Sequence, residues 1–175
     1  AKNSEPADAC TDVEALTEVY ADVVDRYDVS TIDLDVEGRG VSNVDAHVRR
    51  GQAIAAVQDA RADDDRPLAV WITLPVSTSG LTEDGIAAVR GLLEGGVDLA
   101  GVNLMTMNFG ATRDAEQSMA DATVDATEAT HRQLRGLYEQ AGIRQTREQV
   151  WAKLAVTPMI GQNDDASDFF TLDDA

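Results

Sequence analysis

Cysteine, histidine, lysine and aromatic residues are all scarce in this 175-residue chain, and each shortage removes a class of function. Cys10 is the single cysteine, so no intramolecular disulfide and no cysteine-based metal site can form. His47 and His131 are the only histidines, and each falls in a polar, helix-patterned stretch. An exposed side chain is expected there, not a ligand or a base. Lys2 and Lys153 are the only lysines, so arginine supplies nearly all the positive charge. Aromatics make up 5% of the chain. No apolar run approaches the ~20 residues of a membrane-spanning helix, and Ala1-Lys2-Asn3-Ser4-Glu5 lacks the pattern of a secretory leader.

Acid is plentiful. The chain has 32 Asp and Glu against 14 Lys and Arg, a net charge of −18. That balance disfavours nucleic acid and anionic membranes as partners. Aspartate outnumbers glutamate, and alanine and valine are abundant, a composition similar to that of proteins adapted to high salt, where screening acts beyond ~3 Å at 1 M. An ordinary acidic protein with a solvated surface is the alternative. Asp63-Asp64-Asp65-Arg66-Pro67 reads as a solvated turn rather than a metal loop, because no further ligand follows at a usable spacing.

Hydrophobic spacing organises the rest. Residues 1–10 read as loop. Thr11-Asp12-Val13-Glu14 has the form of a capping box, and Val13, Leu16, Tyr20, Val23, Val24 and Tyr27 continue at helical spacing to about residue 27. Further helices are predicted from Val44 to about Ala62, from Thr82 to a Gly95-Gly96 stop, and over 115–141 with Gly142 beyond. Continuous apolar runs at Leu68–Leu74, Leu99–Met107 and Trp151–Met159 read as strands buried on both faces, the first ended by Pro75. Thr171-Leu172-Asp173-Asp174 looks like a helix start. Strict alternation of helix and strand predicts right-handed βαβ units and a parallel sheet. No Gly-x-Gly-x-x-Gly or phosphate loop follows any strand, so a nucleotide-binding fold has no support. A (β/α)8 barrel remains, although its usual ~250 residues exceed this length.

The most informative segment is Ser30-Thr31-Ile32-Asp33-Leu34-Asp35-Val36-Glu37-Gly38. As a strand it sends Asp33, Asp35 and Glu37 to one face and Ile32, Leu34 and Val36 to the other. Successive carboxylates then lie about 6–7 Å apart, where like charges repel. Acid at i, i+2 and i+4 arises by composition alone about once in so acidic a chain, so the neighbouring segments have to carry the argument.

Ile32-Asp33-Leu34-Asp35-Val36-Glu37 resembles the core of the Asp-x-x-Asp-x-Asp-x-Glu signature of glycoside hydrolase family 18, the chitinases and their relatives. Three later segments agree with it in order: Leu74-Pro75-Val76 followed by Gly80-Leu81-Thr82, then Val102-Asn103-Leu104-Met105-Thr106-Met107-Asn108-Phe109-Gly110, then Thr157-Pro158-Met159-Ile160-Gly161. In the family's barrel these are strands four to seven with their loops. The resemblance implies an α/β fold, an incomplete TIM (β/α)8 barrel of the chitinase type. Residues 1–175 would then be a partial catalytic domain, needing the remainder of its own barrel and inactive alone. It further implies a secreted, extracellular enzyme with no cofactor and no metal. Its substrate would be chitin or chitooligosaccharides, hydrolysed with retention by substrate assistance. Glu37 would be the general acid and base, Asp35 would hold the substrate's acetamido N–H, and Asp33 would share a proton with Asp35. Met105, Met107 and Asn108 would line the sugar site.

Three positions depart from that pattern. Ser30 replaces the first aspartate of the signature, Asn108 stands where many relatives have aspartate, and Phe109 where they have tyrosine. Two alternatives stay open: a chitinase-like lectin that binds without turnover, and a Mg²⁺-dependent enzyme using Asp33, Asp35 and Glu37 as hard oxygen ligands.

Overall fold

The computed structural model describes residues 5–174. In chain order these form helices α1 (Pro6–Ala9) and α2 (Val13–Tyr27), strand β1 (Thr31–Asp35), helices α3 (Arg39–Ser42) and α4 (Val44–Asp63), and strands β2 (Ala69–Ser77) and β3 (Gly80–Leu81). Helix α5 (Glu83–Glu94), strand β4 (Leu99–Met105), helices α6 (Met119–Gln140) and α7 (Arg147–Trp151), strand β5 (Leu154–Thr157) and the hairpin β6 (Gly161–Gln162) and β7 (Phe169–Phe170) follow.

β1, β2, β4 and β5 lie side by side in that order, all parallel. Each crossover therefore advances one place in the same direction. With every βαβ unit right-handed, all the crossover helices land on one face of the sheet. Burial agrees. Val70, Ile72, Leu74, Val102 and Leu104, which share a face by strand pairing, are fully buried. On the other face Asp33 and Asp35 of β1 and Thr157 of β5 are exposed. The sheet is open, β1 and β5 are its edges, and no closed barrel forms among the described residues.

Several expectations shift. The N-cap of α2 is Asp12, which accepts from Ala15 N at 2.8 Å, rather than Thr11. Part of the amino-terminal loop is the short helix α1, and the first four positions of that expected loop lie outside the described residues. Pro75 does not end β2, which runs to Ser77 and folds back into β3. The fourth parallel strand, β5, starts at Leu154 and not at Trp151, because Trp151 closes α7 behind a Thr146–Gln149 capping box. Trp151 stacks on His131, with ring centroids 4.2 Å apart.

The two histidines are buried, not exposed. His131 is 4% exposed and pairs with Arg147 O. His47 is fully buried, with Nε2 2.8 Å from Val41 O and Nδ1 2.8 Å from Arg50 Nη1. Arg50, also fully buried, makes a two-pronged ion pair with Glu5 (2.7 and 3.1 Å), which also accepts from Tyr20 OH at 3.1 Å. The polar helical pattern of α4 concealed this because its buried face is built from a charge network and small residues. Small residues matter beside it: a Cβ on Gly51 would meet Gly91 O at 2.6 Å, and one on Gly95 would meet Gly51 C at 2.4 Å. α4 and α5 cross there backbone to backbone. Gly51→Ala forces the helices apart and is expected to destabilise by about 1–3 kcal/mol, measured by urea unfolding.

Burial pushes the Glu5 carboxyl up, but hydrogen bonds and charge from Arg50 outweigh it and hold the group below its usual value. Burial also depresses His47. For both, the unfolded chain binds protons at a higher pH than the folded one, so folding loses stability as pH falls. The His47 contribution is fully present above its ordinary value of 6.5 and that of Glu5 above 4.5, each fading as pH drops toward the folded-state value. Tm is therefore expected to decline in two stages as pH falls, the first beginning at about pH 6.5 and the second at about pH 4.5, and His47→Gln to remove the upper stage.

Candidate active site

Strand pairing decides what stands on the open face. Asp33 pairs with Trp71, Asp35 with Thr73, Trp71 with Gly101, Thr73 with Asn103, Pro75 with Met105 and Met105 with Thr157. Directly paired residues of a parallel sheet share a face, so these residues all lie opposite the helices. Asp33 and Asp35 are both exposed there. Beyond the last residue of β1 the alternation continues: Val36 is buried and its N–H donates to Thr73 O at 3.1 Å. That carries exposed Glu37 to the carboxy-terminal tip of the strand, on the side of Asp33 and Asp35. Gly38 then turns the chain at φ 52°.

Of the two aspartates, Asp33 is tethered. Thr73 Oγ1 donates to Asp33 Oδ2 at 2.6 Å, and Asn103 Nδ2 donates to Thr73 Oγ1 at 3.1 Å. Trp71 is on the open face as well. Its ring lies against Gly101, where an added Cβ would come within 2.2 Å of it. Among the described residues no group of three His, Cys, Asp or Glu side chains is placed to hold a metal ion, so Asp33, Asp35 and Glu37 do not converge as a ligand set.

The end of β4 supplies the other rim. Met105 and Met107 are half-buried, and Thr106 between them is fully buried. Asn108 is exposed at φ 52°, a left-handed conformation that asparagine tolerates. Its backbone N–H donates to Asn163 Oδ1 and its Oδ1 accepts from Asp165 N, both at 3.0 Å. The Asn108 side chain thus holds the β6–β7 loop at the rim. Phe109 turns away from the open face into a small second core with Met119, Ala122, Ala126 and Phe170.

Sequence reasoning missed what fastens this rim. Asp168 is fully buried, and it accepts from Arg113 Nε and from Gly110 N, each at 3.0 Å. Arg113 Nη2 also donates to Ser167 O at 2.7 Å. In a chain with so many aspartates, nothing local marks this one as buried. A cavity of about 730 Å³ lined by Arg135, Tyr138, Arg144 and Gln149 lies where α6 leads into α7, at the amino-terminal end of β5 and away from the carboxylates.

No protein-family model matches the chain. Over 181 aligned residues, covering all of this chain, it is 33% identical to an Escherichia coli protein described as a "Probable bifunctional chitinase/lysozyme". It is likewise 33% identical to Endochitinase 11 of Metarhizium anisopliae. The chain is similar to chitinases along its whole length. It spans 20% and 34% of those two relatives. Its fold is similar to about half of a chitinase catalytic domain: active domain 2 of the Pyrococcus furiosus chitinase superimposes with a TM-score of 0.79 at 26% identity, covering 99% of this chain and 52% of that one. Catalytic-site mutants of the same domain complexed with chito-oligosaccharides give 0.76 at 28% identity, with the same coverage.

Breaking the Arg113–Asp168 pair leaves a buried charge without its partner. Asp168→Ala is expected to cost about 3–5 kcal/mol in urea unfolding, and to free the 161–170 hairpin for proteolysis.

Proposed function

We propose that the protein carrying this chain is a chitinase, a retaining glycosidase that hydrolyses β-1,4-linked N-acetylglucosamine polymers by substrate assistance. The observation that carries the reading is the open face of the sheet. Three carboxylates stand in a row at the carboxy-terminal end of β1, in a chain that aligns throughout with chitinases.

In this reading Glu37, at the exposed tip, protonates the glycosidic oxygen. The acetamido carbonyl of the substrate's own sugar attacks the anomeric carbon, forming an oxazolinium ion and expelling the leaving sugar. Asp35 accepts a hydrogen bond from the acetamido N–H, which orients that nucleophile and balances its developing positive charge. Water deprotonated by Glu37 then opens the ring with net retention. Asp33 shares a proton with Asp35, since two neighbouring carboxylates resist joint ionisation. Met105 and Met107 floor the sugar site, and Asn108 shapes its rim.

The four parallel strands are proposed as one half of a (β/α)8 barrel that the longer protein completes, which makes the chain alone inactive. Residues 1–175 would then be part of a single catalytic domain of a glycoside hydrolase of family 18. A polymeric substrate places the enzyme outside the cell, and the acidic, lysine-poor composition favours a high-salt setting.

The test is release of fluorophore from an N,N'-diacetylchitobioside by the full-length protein in molar salt. Glu37→Gln is expected to lower kcat by about 10²–10⁴-fold, with activity unchanged by EDTA. Binding without turnover, the same in Glu37→Gln, would instead identify a lectin. Loss of turnover on chelation would identify a metal enzyme.

A further inference from the structure

Glu37 leads directly into a short turn with few bonds of its own. After Gly38 the chain makes the four-residue helix α3, and Gly40 N–H donates back to Glu37 O at 2.9 Å. Gly40 is buried, and Glu5 Cβ and Val36 Cγ1 would lie 3.6 and 3.7 Å from a Cβ placed on it. The carboxyl end of α3 is fastened by α4. There His47 Nε2 lies 2.8 Å from Val41 O, so a histidine side chain joins the turn after Glu37 to the helix that follows it.

Where the ring carries its proton follows from its neighbours. Arg50 Nη1 lies 2.8 Å from His47 Nδ1, and a guanidinium only donates. Nδ1 therefore accepts, and the proton sits on Nε2 and is donated to Val41 O. Arg50 is fixed in turn by its two-pronged pair with Glu5, and Tyr20 OH holds Glu5. Tyr20, Glu5, Arg50, His47 and Val41 O thus form one hydrogen-bonded line from α2 to the turn. Tyr20, Arg50, His47 and Val41 are buried, so water competes little for these contacts.

We propose that His47 is a positioning residue for Glu37: as a neutral ring protonated at Nε2, it pins the Val41 carbonyl and so sets the 38–42 turn that aims the acid. This rests on the function proposed above. The charged and titratable groups around the ring are Arg50 on its own helix, Glu5 with Tyr20 behind it, and Asp84 in the first turn of α5. From α3 it meets the Val41 carbonyl, while Arg39 is exposed. Burial most of all, and then Arg50, oppose protonation of the ring. The Val41 carbonyl, Glu5 and Asp84 favour it, and the opposition prevails. Acid reverses the arrangement. A proton on Nδ1 would set donor against donor across the 2.8 Å to Arg50, and the ring has to leave its place. Turnover then falls on the acid side for a reason that lies outside the carboxylates of β1.

The experiment compares His47→Leu and His47→Gln in the full-length protein, well below the Tm of each. Leucine fills the space without a donor. Glutamine offers an N–H to Val41 O and an oxygen to Arg50, and does not titrate. His47→Leu is expected to lower kcat about ten- to a hundredfold, with KM within about twofold. His47→Gln recovers most of that loss and moves the acid limb of the kcat–pH profile to lower pH. An unchanged kcat in His47→Leu, a loss that glutamine does not recover, or an acid limb left in place by His47→Gln overturns the proposal.

Amide exchange tests the pin without reference to activity. In His47→Leu the Gly40 amide is expected to exchange about tenfold faster, while the Val102 amide, bonded within the sheet to Lys153 O, keeps its rate. Equal acceleration at both sites marks a general loss of stability and contradicts the pin. Where His47→Leu does not fold, the wild type gives the same test. Protection of Gly40 relative to Val102 falls as NMR shows the His47 ring taking up its proton, and a ratio that does not change overturns the proposal. Turnover undiminished in Glu37→Gln defeats the proposed function, and with it the catalytic role of the pin, while leaving the Gly40 result to stand.

Discussion

The period of two along the strands, combined with helices on one face only, is the constraint from which the rest follows. In a sheet covered on both sides a Thr-Ile-Asp-Leu-Asp segment would bury two carboxylates at prohibitive cost. Here consecutive strands take consecutive places, so every right-handed crossover deposits its helix on the same side. No crossover helix covers the other side, and Asp33 and Asp35 stand exposed on it. A one-residue slip in β1 would send Asp33 and Asp35 into the helix-facing core and Ile32 and Leu34 into solvent. The same alternation that secures the core therefore fixes the carboxylates in place.

A second theme is how scarce positive charge is used. With 14 basic side chains against 32 acidic ones, the chain nevertheless sequesters Arg50, Arg61 and Arg113. Each closes a joint between distant segments. Arg50 seats the amino-terminal segment on α4 through Glu5, and Arg61 joins α4 to Asp25 and to Val29 O. Arg113 ties the loop after β4 to the β6–β7 hairpin through Asp168. The Arg50–Glu5 and Arg113–Asp168 pairs are shielded from salt, whereas pairs with an exposed carboxylate, such as Arg61–Asp25 and Arg26–Asp22, are less so. In strong brine, the internal arginines would keep their grip while surface repulsion is muted.

Much of this was legible in the sequence because it is local. Helix spacing located α2, α4 and α5, and the apolar runs located β2 and β4 within a few residues. The acidic strand was readable because its alternation is complete from Ile32 to Glu37. What escaped notice depends on partners far along the chain. His47 and Arg50 look solvated until Glu5 and Val41 close over them. Trp151 reads as strand because its stacking partner, His131, lies on another helix. The polar row from Thr157 to Asp33 joins four strands through single threonines and one asparagine, none of which carries a local signal.

The central claim is that the open face hosts a substrate-assisted, retaining hydrolysis directed by Glu37. Proton NMR of the first product released from a chitooligosaccharide by the full-length protein tests it most directly. Retention predicts that the new reducing end appears as the β-anomer and mutarotates toward the α-anomer. Initial release of the α-anomer would mean direct attack by water, and would contradict the account.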